Sequence, residues 1–269
     1  MTKEQKDLSL TSAFQFGEKE EDYQCEEHGK NKVKIFCLNG KWTAPYCKIC
    51  SDKKQADQAE RERLNQLRKD EEAKANRIQS ALNRAMIPER FKSHSFDTFI
   101  DSTDDQKAKK KHCLGYAKNF DAVKKAGMSM IFCGTTGTGK THLACSIANN
   151  IIQQGNTSVF ISVLRAIRQV KETYARSNTK TEQEAINWFL SPDLLILDEV
   201  GVQFGTDAEK MILFEIINER YQNMKPTILI SNLNPQAIKE YVGDRVMDRM
   251  KENGGKLLKF EWESNRGSK

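Results

Sequence analysis

Hydrophobic and polar positions follow two regimes along this chain, and the change falls near residue 91. Beyond it, short apolar runs without strict alternation recur at 129–133, 157–161, 193–197, 227–231 and 256–262. Such runs suit parallel strands covered on both faces, because neither face of the strand meets water. Longer stretches with helical spacing lie between them. Leu143, Ile147 and Ile151 fall on one face of a helix predicted over 140–153. Strand and helix in alternation predict an α/β fold, a central parallel sheet flanked by helices.

Before residue 91 the pattern is different. Residues 51–86 contain neither Gly nor Pro and alternate Lys/Arg with Asp/Glu. Leu64, Leu67, Ile78 and Leu82 keep helical spacing, but Glu71 and Lys74 interrupt the stripe. That predicts a solvated connecting helix, ended by Pro88. Residues 1–22 are polar, with Leu8, Leu10, Phe14 and Phe16 as the apolar anchors, and read as a flexible tail. Residues 23–50 hold four of the seven cysteines. The expected organisation is therefore a tail over 1–22, a small module over 23–50, a helical linker over 51–90 and an α/β domain over 91–269.

Composition alters this picture little. The net charge of +6 permits contact with nucleic acid without requiring it. No stretch reaches the length of a membrane span, and Met1–Asp7 lack the apolar segment of a secretory signal. A cytoplasmic location is expected, with cysteines as thiols or metal ligands.

Two strings carry nucleotide chemistry. Gly134-Thr135-Thr136-Gly137-Thr138-Gly139-Lys140-Thr141 fits G-x-x-x-x-G-K-[ST] at every fixed position, between a predicted strand and a predicted helix. Glycines there let backbone N–H groups turn around phosphate oxygens, Lys140 reaches the terminal phosphates, and the Thr141 hydroxyl can ligate Mg²⁺. Leu194-Leu-Ile-Leu-Asp198-Glu199 is a buried strand that delivers two acids at its C-terminal end, where open α/β sheets bind ligands. Asp198 is expected to hold Mg²⁺ with Thr141, and Glu199 to polarise the attacking water. Asn232, at the end of the 227–231 strand, could bond the γ-phosphate or that water. Arg245 and Arg249 lie four apart on one helical face, suited to transition-state charge supplied to a neighbouring subunit.

A third constellation is metallic. Cys25-x-x-His28 and Cys47-x-x-Cys50 are two ligand pairs separated by eighteen residues, the spacing of a zinc ribbon with one Cys changed to His. Thiolate and imidazole favour zinc, and four protein ligands make the site structural. Cys37 is a fifth candidate that could displace His28.

The chain from about Ile78 onward resembles the DnaC-type AAA+ ATPases, loaders of the replicative helicase. Gly134–Thr141, Leu195–Gln203, Gly243–Met250 and Phe260–Ser264 carry the resemblance. It implies an AAA+ P-loop NTPase that assembles on a hexameric helicase ring and grips single-stranded DNA, with ATP, Mg²⁺ and Zn²⁺ as cofactors. It implies Arg249 as the arginine finger, Arg245 as the arginine of the same box, and Asn232 as the sensor at the strand end. It implies that the segment 163–176 is the extra helix of initiators and loaders, with Arg165, Arg168, Lys171 and Tyr174 facing DNA. About twenty residues follow Arg249, too few for a helical lid domain, so weak, partner-stimulated hydrolysis is expected. The N-terminal 1–86 is expected to dock on the helicase. Two other readings fit the same strings: a transposition helper ATPase that binds duplex DNA and a transposase, and a zinc-dependent adaptor whose ATP site is structural.

Overall fold

The computed structural model describes residues 16–175, 179–202 and 206–264. The chain divides into two units, with the junction between Ala73 and Lys74.

The first unit is built on a hairpin. Strand β1 (Phe16–Cys25) pairs antiparallel with β2 (Gly29–Leu38), and β3 (Lys41–Trp42) adds a short third strand. Residues 16–22, expected in the tail, form most of β1. The other tail anchors, Leu8, Leu10 and Phe14, lie outside the described residues. Strand pairing was not legible in β1, whose sequence Phe-Gly-Glu-Lys-Glu-Glu-Asp-Tyr-Gln-Cys has an unbroken charged run at its centre. Only β2 alternates, burying Val33, Ile35 and Cys37 on one face. Helix α1 (Lys48–Arg84) begins immediately after. Between Ser51 and Ala73 its residues are almost all exposed, as the charge alternation predicts.

The second unit starts at Lys74, earlier than the sequence boundary at 91. Ile78, Ala81, Leu82, Ala85, Ile87 and Phe91 belong to its core, which explains why apolar residues return to the end of the linker pattern. Helices α2 (Asp104–Lys118) and α3 (Phe120–Ala126) precede the sheet. The sheet is formed by β4 (Met130–Gly134), β5 (Ser158–Ser162), β6 (Leu194–Asp198), β7 (Thr227–Ile230) and β8 (Lys256–Phe260). Each falls within a residue or two of its predicted run. Their order is β5-β6-β7-β4-β8, and every pair is parallel.

Helices cover both faces. On one side Phe132, Phe160, Ile196 and Ile228 meet Leu143, Ile147 and Ile151 of α4 (Lys140–Gln153). On the other, Ile131, Ile161, Leu195 and Leu229 meet α5 (Val163–Lys171), α6 (Glu182–Leu190), α7 (Asp207–Gln222) and α9 (Asp244–Lys251). Helix α8 (Pro235–Val242) contributes Ile238 to the same layer. Burial on both faces is why these strands read as continuous apolar runs.

One buried charge ties the lower ends of the strands together. Arg220 of α7 is fully buried and donates to the carbonyls of Phe189, Pro192, Asp193 and Pro226 and to Thr227 Oγ1. It thereby fixes the segments that feed β6 and β7, the two strands that carry Asp198 and Asn232 to the opposite edge. Among the described residues no helix is long and apolar enough to cross a membrane.

Candidate functional site

Strand order places the phosphate loop. β7 lies between β4 and β6, so the C-terminal ends of all three sit side by side. In register, Phe132 of β4 faces Ile230 of β7, and Leu197 of β6 faces Leu229. Gly134, Asp198 and Ser231-Asn232 therefore emerge at neighbouring levels of one sheet edge.

The loop itself needs its glycines. Gly134, Gly137 and Gly139 have φ of +119°, +83° and +85°, a region that side chains rarely adopt. A Cβ at Gly134 would meet the Phe260 carbonyl oxygen at 2.2 Å, and one at Gly139 the Phe99 ring at 2.6 Å. Thr138 is buried and its Oγ1 donates to the Thr135 carbonyl at 2.8 Å. Lys140 is only 4% exposed. Its ammonium donates to the carbonyls of Gly134 at 2.8 Å and Thr135 at 2.6 Å. A cradle of backbone at positive φ with a buried cation at its rim and a helix N-terminus beneath it is the donor set a nucleotide's phosphates require.

Beside the loop, Thr141 Oγ1 donates to Asp198 Oδ2 at 3.2 Å. Burial pushes the Asp198 carboxyl above the usual range, against the N–H of Glu199, which donates to Oδ1 at 2.7 Å, and against the Thr141 bond. A hydroxyl and a carboxylate at this separation, one from each strand–loop junction, fit shared ligation of Mg²⁺. Glu199 is exposed and adopts φ +63°, a strained conformation for a residue with a side chain. It lines a small cavity together with Val163, Leu164 and Ile167 of α5, Glu209, and Tyr241 of α8. Glu199 is thus next to the helix expected to touch DNA.

The remaining expected residues are more dispersed. Asn232 is exposed just past β7. Arg249 is held within its own chain: Nη1 donates to Asn218 Oδ1, and the guanidinium packs on the rings of Tyr221 and Phe214, 5.2 and 5.6 Å from their centroids. Arg245, one turn earlier on α9, is exposed. The helix expected over 163–176 is shorter than that: α5 stops at Lys171, a 3₁₀ turn covers Glu172–Tyr174, and Arg176 lies outside the described residues, as does Gln203. Arg165 and Arg168 are exposed. Lys171 instead pairs with Glu209 at 2.8 Å, so the three-residue basic face is partly neutralised at its end. Tyr174 keeps its ring 56% exposed while its hydroxyl donates to Glu182 at 2.6 Å, a bond that pushes the phenol up to about 12.

Sequence reasoning missed two neighbours of the loop. One is the segment 94–99. Phe99 packs on Gly139, and the rings of His94 and His142 stack at 4.0 Å. His142 also bonds the Ser95 carbonyl at 3.0 Å and Thr98 Oγ1 at 3.1 Å. Position 142, directly after the motif, was the available signal. The other is the stretch that follows β8, where the Trp262 carbonyl accepts from Thr135 Oγ1.

In the first unit, Cys25, His28, Cys47 and Cys50 converge, with all four ligand atoms within 4.8 Å of one another. Cys25 ends β1 and His28 precedes β2, so the hairpin turn presents one pair. Cys47 precedes α1 and Cys50 sits in its first turn, where the helix N-terminus favours thiolate. Cys25 Sγ lies 3.7 Å from Cys50 Sγ, and His28 Nδ1 lies 3.6, 3.7 and 3.3 Å from the sulfurs of Cys25, Cys47 and Cys50. With Zn–S near 2.3 Å and Zn–N near 2.0 Å, tetrahedral edges are about 3.5–3.8 Å, so the donors present fit zinc. The hydrogen bond from His28 pulls the Cys25 thiol down to about 6, whereas the bond to Cys25 pushes Cys50 up to about 12. Negative charge is thus concentrated on one sulfur and resisted on its neighbour, a conflict that a cation removes. Cys37 is not among the four. It is buried on the sheet beside Gly17, paired opposite Trp42, which removes it as a rival to His28.

Comparison with known proteins bears on both units. Residues 44–251 match the family model described as IstB-like ATP binding protein. The chain is 34% identical over 195 residues to the replicative helicase loader DnaC of Buchnera aphidicola subsp. Acyrthosiphon pisum, covering 72% of this chain and 78% of that one. Its fold is similar to the crystal structure of the DnaC helicase loader, with a TM-score of 0.58 and 22% identity, over 64% of this chain and 99% of that chain. It is also similar to the replication initiator DnaA bound to AMPPCP and single-stranded DNA, with a TM-score of 0.55 and 25% identity, over 66% and 52% of the two chains.

Proposed function

The chain belongs to the IstB-like ATP-binding family and to the DnaC-type replicative helicase loaders, and from that premise we propose that it is an ATP-controlled switch that loads a replicative helicase onto single-stranded DNA. The observation that carries this reading is the meeting of the phosphate loop with Asp198 and Glu199 at one sheet edge, with α5 against Glu199.

In this reading Gly134, Thr135, Thr136, Gly137, Thr138 and Gly139 supply the backbone cradle and Lys140 the charge. Thr141 and Asp198 hold Mg²⁺, which neutralises phosphate charge when bound. Glu199 orients the water that attacks the γ-phosphate, and Asn232, level with Gly134 on the next strand, senses that phosphate. Arg249 and Arg245 act on the nucleotide of an adjacent copy, in an assembly on the helicase ring. Arg249 first has to leave Asn218, which makes hydrolysis weak until a partner engages α9. Arg165, Arg168, Lys171 and Tyr174 contact DNA, and because α5 shares a cavity with Glu199, DNA contact and hydrolysis are coupled. A related fold binds AMPPCP and single-stranded DNA, which supports this assignment. Cys25, His28, Cys47 and Cys50 hold a structural zinc, and the N-terminal arm carries the helicase-docking surface.

One rival fits the same strings, a transposition helper acting on duplex DNA. Competition between single-stranded and duplex DNA at one fixed salt concentration, with and without Mg-ATP, separates them. The loader reading expects single strands to win and their advantage to grow with ATP. Preference for duplex, together with failure to retain a replicative helicase on a column, would overturn it.

A further inference from the structure

The chain does not leave the molecule at the end of β8. It turns back across the phosphate loop. Thr135 N–H donates to the Phe260 carbonyl at 3.0 Å, and Thr135 Oγ1 to the carbonyls of Phe260 and Trp262 at 3.3 and 3.2 Å. Two residues further on, Ser264 lies against Gly137, so close that a Cβ on that glycine would come within 1.9 Å of the serine Oγ. Trp262 is seated between the Phe260 ring, 5.1 Å away, and the Lys109 ammonium, 5.5 Å from its centroid. Lys109 is itself paired with Asp105 of the same helix.

Three features bear on what this crossing does. Lys140, whose charge the terminal phosphates need, is turned onto the loop's own carbonyls at Gly134 and Thr135. The carbonyl of Thr135 is the very group that the strapped residue places there, because Thr135 is bonded on its other atoms to Phe260 and Trp262. The indole N–H of Trp262 is buried without an acceptor, an arrangement that native structures keep only where something else holds it. Finally, Glu261 and Glu263 put two acidic side chains on the segment that crosses a loop built for anions.

We propose that Glu261–Ser264 is an autoinhibitory strap on the phosphate loop. Seated, it holds Thr135 and Gly137 in the form in which Lys140 bonds the loop itself. ATP uptake lifts Glu261–Ser264 from the loop while β8 stays paired with β4. Lifting frees the indole N–H and carries the two carboxylates away from the incoming phosphates. The proposal rests on the ATP reading of the site and adds to it a regulated uptake step, one that a partner touching the strap can control.

The test uses the full chain. Trp42→Phe and Trp188→Phe leave Trp262 as the single tryptophan of the three. Its emission is expected to shift on saturation with Mg-ATP. Separately, stopped-flow association of a fluorescent ATP analogue is measured on the parent, on Ser264→Gly, and on a chain ending at Trp262. Removing one such contact is expected to raise the association rate about 3- to 10-fold with little change in dissociation, so that affinity tightens by the same factor. Ser264 is exposed and beyond the last strand, so the serine variant keeps the fold and remains decisive where the truncation does not. If the parent shows no heat of Mg-ATP binding by calorimetry, the phosphate-site reading falls and the strap with it. If the parent binds ATP but Trp262 emission is constant and both variants bind at the parental rate, the strap alone is overturned. Weaker binding in Ser264→Gly overturns it as well, since the segment would then hold nucleotide rather than exclude it.

Discussion

Replacing Lys140 by alanine removes the one buried ammonium of the phosphate loop, and the structure sets the size of the effect. At an effective dielectric near 20, a unit charge about 4 Å from the ammonium is worth about 4 kcal/mol, and a terminal phosphate offers roughly two such charges. Against this stands the cost of drawing the ammonium away from the carbonyls of Gly134 and Thr135, which it bonds at 2.8 and 2.6 Å. At about 1.5–3 kcal/mol for each charge-assisted bond, that cost takes back roughly half. A net loss of about 3–4 kcal/mol remains, so affinity for Mg-ATP is expected to fall by a factor on the order of 10²–10³. Stability should change much less, because alanine also removes a charge that is 4% exposed. The Thr135 carbonyl keeps a donor partner in the Thr138 hydroxyl, which limits the damage to the loop. Isothermal calorimetry with Mg-ATP, paired with a thermal melt of each protein, measures both quantities. A dissociation constant within threefold of the parent, in a variant that melts normally, would refute the reasoning.

Other outcomes follow from the same geometry. Emission spectroscopy of purified protein should find one zinc per chain; Cys47→Ser should lose most of it and Cys37→Ser none, and equal retention by both would dissociate the cluster from the metal. Glu199→Gln should bind ATP as the parent does while partner-stimulated phosphate release falls by about 10²–10⁴, the usual range for a lost general base; an undiminished rate removes Glu199 from the reaction. Asp193 accepts from Thr157 N–H and Oγ1 at 2.9 Å and pairs with Lys124 at 2.6 Å. Burial alone would raise its carboxyl, but the Lys124 and Thr157 bonds outweigh this and hold it below the usual range. A depressed carboxyl contributes stability that is complete above its unfolded value, about pH 4, and is lost as the pH falls further through the folded value. Asp193→Asn should therefore unfold earlier in denaturant at pH 7, and the gap from the parent should narrow below about pH 4; a gap independent of pH would point to packing instead.

Much of the second unit was legible before any coordinates. Strands β4 to β7 are buried on both faces, so their apolar runs need no partner to be recognised, and the phosphate loop is a local string whose glycines are dictated by local backbone. The helix over 140–153 coincides with α4 because Leu143, Ile147 and Ile151 face the sheet. The first unit was harder. β1 carries five consecutive charged residues, Glu18 to Asp22, and its pairing with β2 is set by a hairpin turn that lies between Cys25 and His28. The α1 residues 78–84 looked like linker because helical spacing alone does not say what a helix packs on.

What the amino-acid sequence determined by itself is therefore the set of parts: five sheet strands, a phosphate loop, two acids after a strand, and two Cys/His pairs at zinc-ribbon spacing. Which parts meet was decided by tertiary structure. The order β5-β6-β7-β4-β8 brings Thr141 within 3.2 Å of Asp198 across 57 positions of chain, and the packing around that sheet seats Arg249 on Asn218 and lays Trp262 and Ser264 over the loop. In the separate three-stranded sheet, the pairing of β2 with β3 turns Cys37 away from the Cys25, His28, Cys47 and Cys50 cluster. The physical reason is that periodicity and motif spacing report interactions within one element, whereas these contacts depend on strand order and crossover, which are settled by burying both faces of the sheet at once.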